Sequence, residues 1–129
     1  MTTFRLRYTA IEVTNLERSI QFYTGILGMN LVRRVQVPET FGEFGILKTE
    51  GSDHWLEVNW YGNQQQYRAG DGLDHLAFEV GNLDTALAEL KTKGIEPVSY
   101  IRDTPRARWT YIGDPDGIWV ELFQKKEQG

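Results

Sequence analysis

Residues 7–20 read RYTAIEVTNLERSI, and residues 74–87 repeat that pattern as DHLAFEVGNLDTAL. The two blocks are identical at five aligned pairs of positions: Ala10/Ala77, Glu12/Glu79, Val13/Val80, Asn15/Asn82 and Leu16/Leu83. Internal repeats of this kind are the mark of a structural module that occurs more than once in a chain. In a chain of 129 residues, one repeat of this length predicts two copies of a single module.

A second pair of similar stretches supports the repeat. HWLEVNW at 54–60 aligns with IWVELFQ at 118–124, so that the two copies place Trp55 with Trp119 and Glu57 with Glu121. Candidate functional residues are therefore expected at equivalent places in the two modules.

Composition is that of an ordinary globular protein. The chain is long enough for one domain with its own core, and it contains no cysteine, which excludes disulfides and a thiolate nucleophile. It has no apolar run approaching about 18 residues and no signal-peptide pattern at its N-terminus, so we predict a cytoplasmic protein without a membrane partner. A net charge of −4 gives no reason to expect nucleic acid as a partner.

Each block begins with alternating polar and apolar residues, which predicts a half-buried strand. Asn15 and Asn82 follow where a helix N-cap belongs, and Gly28 and Gly94 follow where a helix ends. Three shorter strands are expected after each helix: about 30–37, 42–49 and 54–61 in the first half, and 96–102, 107–112 and 117–124 in the second.

The predicted fold class is therefore α+β, with two tandem βαβββ modules whose curved mixed sheets form a cleft for a metal or ligand. We expect residues 1–129 to make a single domain. Its modules span about 4–62 and 73–126. The polar, glycine-containing stretch at 63–72 reads as the linker between them.

Two carboxylates stand out in this pattern. Glu57 and Glu121 lie in mid-strand between apolar neighbours, on the strand face away from the helix, as Tyr8 and His75 also do. Burying such a carboxylate is costly unless it is paired, protonated or bound to a metal. Two Glu and one His would neutralise a divalent ion and leave positions open for substrate. The alternative, that each Glu faces solvent, stays open.

The stretches LERSIQFYTGILGM (16–29) and DPDGIWVELF (114–123) resemble the vicinal oxygen chelate superfamily. Within it the chain is most similar to glyoxalase I (lactoylglutathione lyase) and bacterial glyoxalase-like proteins. The resemblance covers nearly the whole chain and implies two βαβββ modules of the glyoxalase/bleomycin resistance/dioxygenase type. It also implies a homodimer, often with modules paired across subunits, and sites in the clefts between modules.

The resemblance implies a metal site. Glyoxalase I binds nickel or zinc through four side chains, and the matching positions here are Tyr8, Glu57, His75 and Glu121. Tyr8 stands where the family usually has His or Gln. It binds as phenolate, hydrogen-bonds to metal-bound water, or leaves a coordination position vacant. Glu12 stands where bacterial glyoxalase I tends to have an Arg that holds a glutathione carboxylate. The expected cofactor is one divalent ion of nickel, zinc, manganese, cobalt or iron.

The implied reaction is the isomerisation, through an enediolate, of the adduct between a 2-oxoaldehyde and a thiol, or of a similar small oxygen-chelating substrate. Metal would polarise the substrate oxygens while a carboxylate removes the C1 proton. Our hypothesis is that Glu121 is the base and Glu57 the permanent ligand, each able to exchange roles.

Other functions remain open. A related epimerase needs the same metal and bases, whereas a dioxygenase wants two His and one carboxylate around Fe(II), and only His75 is available at these positions. The alternative from another class is a non-catalytic, bleomycin-resistance-like dimer that binds an antibiotic. Its cleft would be lined by aromatic and acidic side chains: Tyr8, Trp55, Trp60, Trp109, Trp119, Glu12 and Glu79. The enzyme is favoured because Glu57, His75 and Glu121 keep the expected residue type.

Overall fold

The structure, a computed structural model, describes residues 1–63 and 66–127. The chain forms two compact units, residues 1–68 and 69–129. The first contains β1 (Tyr8–Glu12), α1 (Leu16–Gln21), β2 (Asn30–Val37), β3 (Gly42–Lys48) and β4 (Trp55–Trp60). The second contains β5 (Leu76–Glu79), α2 (Leu83–Thr92), β6 (Arg102–Asp103), β7 (Ala107–Gly113) and β8 (Trp119–Lys125).

The two predicted βαβββ modules are thereby confirmed. Residues 64 and 65 of the predicted linker lie outside the described residues. The single-domain organisation and the exact module limits stay predictions.

Both sheets have the same strand order, β1-β4-β3-β2 in the first unit and β5-β8-β7-β6 in the second. In each, the first and last strands of the module pair in parallel, and the other neighbours are antiparallel. Ala10 lies opposite Glu57 across the first parallel pair, and Ala77 lies opposite Glu121 across the second. The sequence repeat therefore places the two glutamates at equivalent points of equivalent sheets.

The predicted caps hold both helices. The Asn15 side-chain oxygen accepts a hydrogen bond from the Arg18 amide at 3.0 Å, and that of Asn82 accepts one from the Thr85 amide at 2.8 Å. Helix α1 continues as a π-helical turn, Phe22–Ile26, before the chain leaves through Gly28 at a φ of 72°. No helix in the described ranges is long and apolar enough to cross a membrane.

The cores lie on the strand faces that the alternation predicts. In β4, Leu56 and Val58 are buried while Glu57 between them is half-buried, and in β8 Val120 and Leu122 flank a half-buried Glu121 in the same way. Period-two burial of this kind places the candidate carboxylates on the sheet face opposite the apolar core.

One strand prediction is wrong in extent. Only Arg102–Asp103 is strand where 96–102 was expected. Pro97 has no amide hydrogen to donate to a ladder. Beside it, the Val98 amide donates to the Tyr111 carbonyl at 2.8 Å, and the Ser99 carbonyl accepts from the Thr110 hydroxyl at 2.9 Å. The segment thus contacts β7 through one backbone bond and one side-chain bond, without forming a strand there.

Candidate functional site

The second unit brings together two of the predicted ligands. His75 directly precedes β5, and Glu121 lies in mid-strand in β8. The His75 Nε2 atom lies 3.8 Å from Glu121 Oε2. Two donors bound to one ion at about 2.1 Å stand about 3.0–3.4 Å apart at octahedral or tetrahedral angles. The observed separation is therefore close to that of two ligands of a single metal ion.

The imidazole of His75 is held from two sides. Its Nδ1 atom lies 2.6 Å from an Asp74 carboxylate oxygen, and the Tyr111 ring meets it edge-on at a centroid distance of 5.4 Å and an angle of 80°. A carboxylate at Nδ1 favours the tautomer with its proton there. In that tautomer Nε2, 3.8 Å from Glu121 Oε2, carries the lone pair that a metal ligand requires.

The carboxylate of Glu121 has few polar neighbours. Its side chain is 17% exposed, and no hydrogen bond reaches it from the described part of the chain. Tyr111 lies opposite Glu121 in the β7–β8 register and packs against Trp119 at 5.1 Å. A poorly hydrated carboxylate beside aromatic rings and an imidazole nitrogen is suited to a cation or to proton transfer.

The first unit contributes a different arrangement. Glu57 Oε2 accepts a hydrogen bond from the side-chain amide (Nδ2) of Asn59 at 2.7 Å. Tyr8 lies opposite Trp55 in the β1–β4 register, and the two rings stack at 5.0 Å with an interplanar angle of 12°. The direct contact of the Tyr8 ring is thus Trp55, while Glu57 is held by Asn59.

The predicted ligands offer one nitrogen and two carboxylates to the divalent ion that the resemblance implies. Among the described residues no three His, Asp or Glu side chains lie close enough together to hold a metal ion. The second unit alone fits such an ion through His75 and Glu121, a nitrogen and a carboxylate at nearly chelating distance. In the first unit, the Glu57 carboxylate is oriented by the Asn59 side chain. This donor chemistry suits zinc, nickel, cobalt, manganese or iron.

Three neighbours of the site were missed from the sequence. Asp74 and Asn59 hold predicted ligands, and Tyr111 packs on His75. The signal for Asp74 is its place directly before His75, and that for Asn59 is its position two residues after Glu57 on the same strand face. Tyr111 is identified only by the β7–β8 register.

Comparison with known proteins decides the family. The model of the Glyoxalase/Bleomycin resistance protein/Dioxygenase superfamily matches residues 5–122. The chain belongs to this superfamily. The resemblance found in the sequence is confirmed.

Curated and solved relatives agree. A lactoylglutathione lyase of Neisseria meningitidis serogroup B is 33% identical over 133 residues, which cover 95% of this chain and 91% of the relative. The trypanothione-dependent glyoxalase I of Leishmania major superposes with a TM-score of 0.79 at 28% identity, covering 95% of this chain and 87% of that one. TnmS3, an antibiotic-binding protein of Streptomyces sp. CB03234, shares the fold (TM-score 0.76, 21% identity, coverage 98% and 99%).

Proposed function

We propose that this protein is a metal-dependent isomerase of the glyoxalase I type, acting on the adduct of a 2-oxoaldehyde and a thiol. The observation that carries the proposal is the pair in the second unit, with His75 Nε2 3.8 Å from Glu121 Oε2 and Nδ1 bound to Asp74. The lactoylglutathione lyase of N. meningitidis, 33% identical over most of the chain, supports the same activity.

Glu57, His75 and Glu121 are the proposed ligands of one divalent ion. When bound, the ion supplies polarisation of the two neighbouring oxygens of the substrate. The stacking of Tyr8 on Trp55 favours the interpretation in which its phenol leaves a coordination position to water or substrate. The choice among nickel, zinc, manganese, cobalt and iron is to be settled by elemental analysis.

Glu121 is the proposed base. It takes the proton from C1 of the adduct and returns it to C2, while the C1 hydroxyl proton passes to the C2 oxygen. C1 is thereby oxidised and C2 reduced within one molecule, so the reaction involves no net oxidation. Glu121 accepts no hydrogen bond among the described residues, whereas the Asn59 amide binds Glu57 at 2.7 Å and restricts its movement. The carboxylate that is free to swing is better suited to proton transfer, and the restrained one to permanent binding of the ion.

Metal content and turnover test this assignment in Glu121→Gln. The variant is expected to keep about one equivalent of metal and to lose about 10²- to 10⁴-fold in kcat, the usual contribution of a general base. Glu79→Gln in the same module is the control, because Glu79 is exposed and, among the described residues, its side chain forms just one long ion pair, 3.7 Å, with Lys125. Near-full activity of Glu121→Gln would contradict its role. Absence of metal from the wild type, even after soaking with each ion, would refute the metal mechanism.

A homodimer is also proposed. In the first sheet β1 and β2 are edge strands, and β2 exposes Leu31 and Val32, which are 39% and 56% accessible. Edge strands with exposed apolar side chains favour pairing with another chain. Light scattering on the eluting protein is expected to give twice the chain mass of 14.9 kDa. A monomeric mass at micromolar concentration would refute the dimer. The cytoplasmic location stays a prediction.

A second candidate is a binder of an aromatic small molecule. The stacked pair Tyr8–Trp55 and the cluster of Tyr111 with His75 and Trp119 offer flat apolar surfaces. Saturable binding of a planar aromatic antibiotic by metal-free protein, with no turnover of any oxoaldehyde–thiol adduct in the metal-loaded protein, would favour this function. Turnover of a substrate that lacks a thiol would instead favour an epimerase.

A further inference from the structure

We propose a second binding site in the first unit, one that takes a small organic anion carrying phosphate or carboxylate. A cavity of about 540 Å³ lies at the end of the first sheet, lined by Arg5, Leu6, Arg7, Asp53 and His54. None of the proposed metal ligands lines it. Its volume falls within the range of small-molecule sites and exceeds what a bare inorganic ion would fill.

Two cationic groups of the first unit contact one aromatic ring, and one of them, Arg7, lines the cavity. The Arg7 guanidinium lies 5.4 Å from the centroid of Trp55, and Lys48 Nζ lies 5.0 Å from it. Tyr8 stacks on the same ring and fixes its plane. Cation–π contacts of this kind restrict the two side chains before any ligand arrives, which lowers the entropic cost of binding.

The backbone around the cavity is also fixed. The Trp55 amide donates to the Arg7 carbonyl at 3.3 Å, which ties the N-terminal segment to β4. His54 Nε2 lies 2.8 Å from the Thr9 hydroxyl, and the Ser52 hydroxyl donates to the His54 carbonyl at 3.1 Å. Two of the lining residues, Arg7 and His54, are therefore held by hydrogen bonds to the rest of the first unit.

Charge decides the kind of ligand. Elsewhere in this unit Arg34 contacts two carboxylates, those of Glu17 and Glu43. Arg5 and Arg7, the two cations that line the cavity, by contrast form no ion pair among the described residues, although the whole chain has a net charge of −4. Unpaired positive charges on the wall of a cavity favour an anionic ligand. Arginine offers a planar pair of donors to carboxylate or phosphate.

An exposed leucine offers a contact for the apolar part of the ligand. Leu6 lines the cavity between the two arginines and is 80% exposed. An organic anion would cover this side chain, which a bare phosphate ion would leave in water. Asp53, the one carboxylate among the lining residues, would repel a ligand that carries negative charge on all sides. A ligand with one anionic end and one apolar end can meet the arginines and Leu6 while keeping its charge away from Asp53.

The test is an NMR titration that follows the indole N–H of Trp55, assigned by its loss in Trp55→Phe. Phenyl phosphate, benzoate and inorganic phosphate are the probes, added at constant ionic strength. Saturable shifts are expected, with an aromatic anion binding more tightly than inorganic phosphate. Whichever of phenyl phosphate and benzoate binds more tightly identifies the anionic group.

Arg5→Gln and Arg7→Gln should each weaken binding about ten- to a hundredfold, the usual effect of losing a charge-assisted hydrogen bond. Arg106→Gln and Lys91→Gln are the matched controls, exposed cations of the other unit, and should leave binding unchanged. An amide spectrum of each variant verifies its fold, and if Arg7→Gln is misfolded the Arg5→Gln result decides. Shifts that do not saturate, or equal losses in the controls, would overturn the site. The readout requires neither metal nor turnover, so its failure would leave the proposed isomerase untouched.

Discussion

Replacing Asp74 by alanine tests whether His75 is oriented by its neighbour. The Asp74 oxygen lies 2.6 Å from Nδ1, a length typical of a charge-assisted hydrogen bond, for which about 1.5–3 kcal/mol is usual. The Asp74 side chain is, however, 95% exposed, so that water competes for both groups and reduces this contribution to about 0.5–1 kcal/mol. By the relation of about 1.4 kcal/mol to a factor of ten, metal affinity should fall about two- to fivefold.

Two measurements separate orientation from mere loss of charge. Competition with a chromophoric chelator gives the metal affinity, and nitrogen chemical shifts of the metal-free protein report which ring nitrogen of His75 carries the proton. Asp74→Ala should lower the affinity and also shift the tautomer away from the Nδ1–H form. Asp71→Ala, which removes a nearby exposed carboxylate, should change neither. If Asp74→Ala keeps both the affinity and the tautomer of the wild type, or if Asp71→Ala weakens the metal equally, the reasoning fails.

Three further predictions concern stability, measured by urea unfolding. Arg34→Met should cost about 0.5–1 kcal/mol at pH 7. The Arg34 hydrogen bond lowers the pKa of Glu43 below its usual 4.5. The cost of the substitution should therefore persist above pH 4.5 and disappear as the pH falls far enough to protonate Glu43. A cost at pH 3 equal to that at pH 7 would contradict this role of the ion pair. Asn82→Ala should cost about 1 kcal/mol by removing the cap of α2, and no change in midpoint would refute the cap. Gly42→Ala should destabilise by more than about 1 kcal/mol because its Cβ would collide with a β4 carbonyl, whereas Gly72→Ala, in open space, should not.

Local signals were enough to predict most of the fold. Strand alternation around Glu57 and Glu121 and the caps at Asn15 and Asn82 all depend on residues close together in sequence, and the structure has them as predicted. The error at 96–102 has a long-range cause, because Pro97 lies in a segment whose contacts with β7 mix a backbone bond with one from the Thr110 side chain. The alternation of polar and apolar residues along the chain does not reveal such a long-range contact.

The candidate site was predictable in its positions and not in its contacts. That His75 and Glu121 share a sheet face follows from strand parity. Which nitrogen of His75 faces Glu121 depends on Asp74, and the freedom of Glu121 depends on the absence of a donor beside it among the described residues. These are properties of rotamers and cross-strand register, which a pattern of residue types does not specify.

The two copies of the module differ where chemistry would require it. Glu57 lies opposite Ile46 and is held by Asn59, two residues along its strand, while Glu121 lies opposite Tyr111 and has Phe123 at the place equivalent to Asn59. Building two similar sheets does not require one glutamate to have a side-chain amide partner and the other an aromatic neighbour. In the proposed reaction this difference assigns the roles. The restrained carboxylate holds the ion, and the carboxylate without a hydrogen-bond donor among the described residues can leave the ion to move a proton.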